Sequence, residues 1–212
     1  MNYPVGEAIY VEMASKLQEV EFPVLLQMIS LIEDGSLRIL PHVTRVKCSE
    51  RFIDTAKLKL CSSLRTLIVP NCTNITNDVL MALPNIESLT INAINGLCGD
   101  VFQHCDHLRT LQIISDVAYN PDTLLDSKTV RYFRNLHHLN IYTNNLSTED
   151  LKIMRNLKTL VIEGSNLSPE IINFLPALEF CVINSTLYKY DDSEESKKKL
   201  RKLRQVKKIK IF

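Results

Sequence analysis

The sequence predicts an α/β fold assembled from repeated strand–turn–helix units, and three observations predict it. A three-point apolar frame recurs eight times, at spacings of 21, 22, 22, 28, 21, 21 and 28 residues. Six and three residues before every copy stand two further apolar residues, an independent match that chance does not supply. Between frame and pair lie polar stretches such as CTNITN, NNLSTED and GSNLSPE, rich in residues that bond their own backbone or cap a following helix. Self-similarity at such a period organises the whole chain.

In chain order, residues 1–36 precede the first unit. Ile9, Met13, Leu17 and Val20 fall on one helical face, and Phe22, Leu25, Leu26, Ile29 and Ile32 on the face of a second segment entered at Pro23 and ended at Gly35. The units follow. Their frames are Val43, Val46, Cys48; Leu64, Leu67, Val69; Ile86, Leu89, Ile91; Leu108, Leu111, Ile113; Leu136, Leu139, Ile141; Leu157, Leu160, Ile162; Leu178, Cys181, Ile183; and Val206, Ile209, Ile211. The two frame residues two apart share one face of a strand, whereas the preceding pair three apart, as in Leu58 and Cys61, shares one face of a helical turn. Pro169 suits a helix start. Where the spacing widens to 28, the additions fall in ISDVAYNPDT and STLYKYDDSEES, between strand and helix, and leave the frame intact.

The 212 residues, 45% of them hydrophobic, suffice for a sizeable core. No apolar run approaches the roughly 18 residues that span a bilayer. The opening MNYPVGEAIYVEMASK is acidic where a signal peptide would be basic and apolar. An intracellular chain, cytoplasmic or nuclear, with no membrane partner is therefore expected, and with it free thiols at the six cysteines. The Asn-X-Ser/Thr triplets at Asn71, Asn74, Asn145, Asn166 and Asn184 would matter only in a secreted chain. The net charge of +1 hides an asymmetry: residues 197–212 carry nine Lys or Arg and no acid, which leaves residues 1–196 with 16 bases against 24 acids, a net of −8.

The frame resembles the leucine-rich repeat over residues 37–212. That resemblance implies an α/β solenoid with a parallel sheet on the concave face and helices on the convex face. It implies about eight units, the last acting as a C-terminal cap, and residues 1–36 as an N-terminal helical cap. LRTLIVPNCTNITNDVLMALPN looks most like the cysteine-containing repeats of F-box proteins, and the shorter units resemble the short intracellular type. Cys72 and Asn144 fill the place after the strand where the family carries Asn or Cys; Arg51, Ile94, Asp116, Ser165 and Thr186 do not. Residues 22–52 also loosely resemble an F-box, the module that docks substrate receptors onto a cullin ubiquitin ligase, with Pro23 early and Val46-Lys47-Cys48 late. The repeat frame claims the same residues, and the chain has no Trp. A ubiquitin-ligase substrate receptor is the alternative function that this second resemblance implies.

Candidate chemistry is sparse. CGDVFQHCDH, residues 98–107, gathers two Cys and two His, but Cys105 holds an inward helical place, and the frame or the turn likewise claims Cys48, Cys61, Cys72 and Cys181. Only Cys98 is left over, so no metal or cofactor is expected. His137 and His138 lack a nucleophile with an orienting partner, and five glycines form no phosphate-cradling loop. Neither an enzyme nor a small-molecule substrate is indicated. The tail KKKLRKLRQVKKIKIF reads as a solvated cap, with nucleic-acid binding through residues 197–210 as the alternative.

With the inward positions assigned, the strand residues between them face the other way. They include Ile68, Ile114, His138, Asn140, Tyr142, Val161, Phe180 and Val182, an apolar group in uncharged polar company. Such a face suits docking of a protein partner, and these eight residues are the expected contact site on the concave side.

Overall fold

The structure, a computed structural model, describes residues 4–31, 36–92, 97–114, 125–142, 145–163, 165, 167 and 169–183. The helices α1 (Pro4–Leu17), α2 (Phe22–Ser30) and α3 (Ser36–Ile39) come first. Seven strands follow: β1 (Arg45–Lys47), β2 (Thr66–Val69), β3 (Ser88–Asn92), β4 (Thr110–Ile114), β5 (His138–Tyr142), β6 (Thr159–Glu163) and β7 (Phe180–Ile183). They form one parallel sheet in strict chain order. Parallel neighbours need a crossover between them. Helical segments supply it: α4 (Thr55–Leu58), α5 (Asn77–Met81) and α6 (Thr148–Leu151), with 3-10 helices at Gly99–His104, Val130–Phe133 and Pro169–Phe174. This is the α/β leucine-rich-repeat solenoid that the frame implies. The eighth frame, the basic tail, the residues of ISDVAYNPDT beyond Ile114, the stretch STLYKYDDSEES, and Ile32, Gly35 and Asn144 lie outside the described residues. No helix among the described residues is long and apolar enough to cross a membrane.

The register explains the frame. Val46, Leu67, Leu89, Leu111, Leu139, Leu160 and Cys181 stand opposite one another in one row across the sheet, and all are buried. The helical pairs Leu58 and Cys61, Phe102 and Cys105, and Val130 and Phe133 are buried against them. In a 3-10 helix, with three residues per turn, side chains three apart eclipse, so the short tight helices suit this pairing better than a long α-helix would. A further buried column escaped the frame: Ile53, Ile75, Leu97, Leu125, Leu146 and Leu167 close the core in the turns after the strands. Its signal is an apolar residue ten or eleven places after the unit start, displaced only by the insertion after β4.

Polar bonds repeat as regularly as the apolar rows. The carbonyl of the residue before each strand accepts two N–H groups from the next unit: Thr44 from Arg65 and Thr66, Arg65 from Glu87 and Ser88, and so on to Lys158 from Glu179 and Phe180. Asn85, Asn135 and Asn156, each just ahead of a frame, donate their side-chain amides to the carbonyls of Ser62, Asp106 and Arg134 at 3.1, 3.3 and 3.2 Å. Asn74 clamps the backbone of Ile53 from both sides, accepting its N–H at 3.1 Å and donating to its carbonyl at 2.7 Å.

At the N-terminal end one expectation is corrected. Ile9 is exposed, and α1 turns Tyr10, Met13, Ala14 and Leu17 towards the core instead. These also obey helical spacing, but Ala and Tyr give a weaker apolar signal than Ile. In α2, Phe22, Leu25 and Ile29 are buried as read, after an entry with Pro23 in the first turn.

Candidate functional site

Each strand alternates between buried residues and residues open to solvent. The open ones fall into rows because the register is unbroken. One row runs Arg45, Thr66, Ser88, Thr110, His138, Thr159, Phe180, and the next Lys47, Ile68, Thr90, Gln112, Asn140, Val161, Val182. In a third row Asn92 stands beside Ile114, and Tyr142 beside Glu163. All eight residues singled out from the sequence therefore lie on this face.

The register does not keep them together. Tyr142 on β5, Val161 on β6 and Phe180 on β7 occupy successive rows and trace a diagonal, with Val182 beside Val161. Diagonal neighbours in a sheet are within reach of aromatic side chains. Ile114, 38% exposed, sits on the strand next to Tyr142. Ile68 lies three strands from β5, roughly 14 Å at the usual strand spacing, with Thr90 and Gln112 between. The apolar group is thus concentrated on β5 to β7 and Ile68 stands apart.

Polar neighbours frame the diagonal. His138 Nδ1 and Thr159 Oγ1 are hydrogen-bonded across β5 and β6 at 3.0 Å. The Nδ1–H of His137, just before β5 and with its ring 6.5 Å from that of His138, donates to the carbonyl of Asn135 at 2.9 Å. Thr159 and Glu163 belong to this site by register though neither was among the eight; both occupy odd places of the frame, where the signal lay. Charge is confined to the ends of the face. Arg45 and Lys47 mark β1, where Lys47 pairs with Glu21 of the α1–α2 connection at 3.0 Å, and Glu163 ends β6. The same β1 pairs with β2, so Val46 and Cys48, which carry the F-box resemblance, serve the solenoid core.

Nothing in the thiol set resembles a reactive centre. Cys48, Cys61, Cys72, Cys105 and Cys181 are buried, Cys98 is exposed, and none of the six is in a disulfide. Burial pushes Cys61, Cys72 and Cys181 up to about 12 and Cys105 up to about 11, because a thiolate there would be desolvated. Cys48 moves the same way for the same first cause. The Cys72 thiol donates to the carbonyl of Glu50 at 3.0 Å, which ties the turn of one unit to the next. Among the described residues no group of three or more His, Cys, Asp or Glu is placed to hold a metal ion.

No protein-family model matches the sequence, and no curated protein matches it. Among solved structures the chain is similar to internalin C2 from Listeria monocytogenes, with 15% identity and a TM-score of 0.46 over 68% of this chain and 62% of that one. It is also similar to a leucine-rich-repeat protein of Leptospira interrogans, with 13% identity and a TM-score of 0.27 over 82% and 67%. A third is TLR13, solved as a complex with ssRNA13, with 13% identity and a TM-score of 0.35 over 75% and 31%. The chain spans less than two thirds of the length of internalin C2 and under a third of that of TLR13.

Proposed function

We propose that this chain is a non-catalytic protein-interaction module that binds a protein partner on the open face of its sheet, over β5 to β7. The observation that carries the reading is the diagonal of Tyr142, Val161 and Phe180, part-exposed side chains held in register on a face whose middle strands carry mainly Thr, Ser, Asn and Gln, with Glu163 beside Tyr142. Large apolar groups set among neutral polar ones are what interface cores are made of, and binding energy concentrates in a few aromatic anchors. A parallel sheet holds these side chains on a rigid element, so little order has to be gained on binding. Ile114, His138, Asn140 and Val182 border the anchors, and Ile68 contributes only to a partner that reaches across to β2.

Affinity capture from the source cell, followed by mass spectrometry, tests the reading. One abundant stoichiometric protein is the expected product, and Tyr142→Ala or Phe180→Ala should each weaken its binding by about 1 to 3 kcal/mol with the fold retained. If the double variant binds the captured protein as tightly as the parent chain, the sheet face is not the site. Ligase adaptor subunits in the capture would instead favour the F-box reading, and RNA the nucleic-acid one.

A further inference from the structure

We propose that the outer, helical side of the solenoid carries a second docking surface, for an acidic peptide segment with large apolar side chains. Tyr132, Ile153 and Phe174 hold the same place in three consecutive helical segments, four residues before the frame. Ile153 is 39% and Phe174 46% exposed, while Tyr132 is half-buried against the core. Neither exposed side chain is needed for burial at its own position, because the inward places of those segments are filled by Leu151 and Met154 and by Ile171 and Leu175. They form a column along the outside.

Cations interleave with this column by the same repeat. Arg131 and Lys152 come one residue before it, Arg134 and Arg155 two residues after. The Lys152 ammonium lies 4.0 Å from the centre of the Phe174 ring, across the boundary between units, and the Arg131 guanidinium 5.0 Å from that of Tyr132. In the earlier segments the matching triplets are Lys59, Leu60 and Ser62; Met81, Ala82 and Pro84; and Gln103, His104 and Asp106, none of which brackets an apolar residue with two cations. Only the segments of Tyr132 and Ile153 are doubly bracketed; Phe174 stands between Asn173 and Pro176 and takes its cation, Lys152, from the unit before.

The surrounding charge gives it a partner. Residues 1–196 are acidic overall, so this is a basic island on an acidic body. Of the acids nearby, Asp126 accepts the N–H groups of Lys128 and Thr129, Asp150 accepts the Ser147 N–H and Glu149 pairs with Lys152, while Asp106 holds the place of Arg134 in the preceding unit and Glu170 lies in the first turn of the Phe174 segment. Among the described residues, neither Arg134 nor Arg155 has a carboxylate partner. Arginine beside an aromatic or aliphatic anchor is the composition of an interface hot spot, and free guanidinium groups around it select carboxylates. Stacked bases are a poorer fit, since Tyr132 and Phe174 each already have a cation over the ring. The surface is independent of the sheet face, which lies on the opposite layer.

Fluorescence anisotropy of the full chain with a labelled peptide, in which Asp and Glu alternate with Leu and Phe, tests this. Binding that weakens with salt is expected, with a loss of roughly tenfold or more in the Arg134→Glu, Arg155→Glu variant. Phe174→Ala should also weaken it, and Tyr142→Ala, Phe180→Ala should leave it unchanged. Circular dichroism melts check that the surface variants fold, and Arg134→Gln, Arg155→Gln serves if the charge reversals do not. Absence of binding, equal binding of the same peptide with Lys in place of its acids, tighter binding of single-stranded RNA, or binding indifferent to these substitutions would each overturn the proposal.

Discussion

Cys98 and the five buried thiols share one chemistry and differ only in surroundings. Cys98 should react with a thiol reagent in the native chain, and Cys48, Cys61, Cys72, Cys105 and Cys181 only on unfolding, which a timed alkylation with and without urea reads directly. Burial also makes them pH-sensitive. Each of Cys61, Cys72 and Cys181 holds its proton more tightly folded, at about 12 against the ordinary 9.0, so its contribution is complete below pH 9.0 and lost as pH rises towards 12. The urea midpoint should fall over that interval, and less so, relative to its own neutral value, in Cys61→Ala, Cys181→Ala. Leu139→Asp or Leu160→Asp should cost several kcal/mol by burying an unpaired charge, whereas Thr90→Asp on the open face should leave the melting temperature nearly unchanged. At this scale the sequence was readable wherever a residue type suits only one place. Leu139 announces its burial by repetition. Ala14 does not, since an alanine on a helix is equally at home inside or out, and the apolar spacing of α1 points instead to a face that includes the exposed Ile9.

At the scale of the element, short helical segments depend on their ends more than on their interiors, because a single turn has almost no internal bonds. Ser147 and Asp150 form a reciprocal capping box on α6: Ser147 Oγ accepts from the Asp150 N–H at 3.3 Å, and Asp150 Oδ2 accepts from the Ser147 N–H at 2.8 Å. Ser147→Ala should cost about 0.5 to 2 kcal/mol in chemical denaturation. Asn74→Ala should cost about 1 to 3 kcal/mol, because it strips partners from both backbone groups of Ile53 inside a turn. NNLSTED betrays its cap in the letters, as Ser and Asp three apart. What the letters did not separate is α from 3-10, since a pair three apart is satisfied by either; nor did they show that Asn74 serves the unit before it, because that bond spans 21 residues.

For the molecule as a whole, the described boundaries between units share a buried apolar row and a carbonyl that accepts two N–H groups, and those just before Leu136 and Leu157 add an asparagine reaching back. Excising residues 136–156 would set Asn135 directly before Leu157, as Asn156 stands now, and should give a shorter chain that still melts cooperatively at a lower temperature. An unfolded product would show that the boundaries are not interchangeable. The architecture was legible because it is periodic; the grouping of Tyr142, Val161 and Phe180 apart from Ile68 was not, because it follows from strand order and register, which frame spacing leaves unstated. The alternation along β2 to β7 has an evolutionary consequence. The side chains that pack one unit's core against the next and those that face solvent occupy different positions along each strand, so inheritance can revise the second set with little effect on the first. A gene library randomised at the outward places of those strands should yield mostly protease-resistant products, and selection for a new ligand would meet little opposing selection for stability.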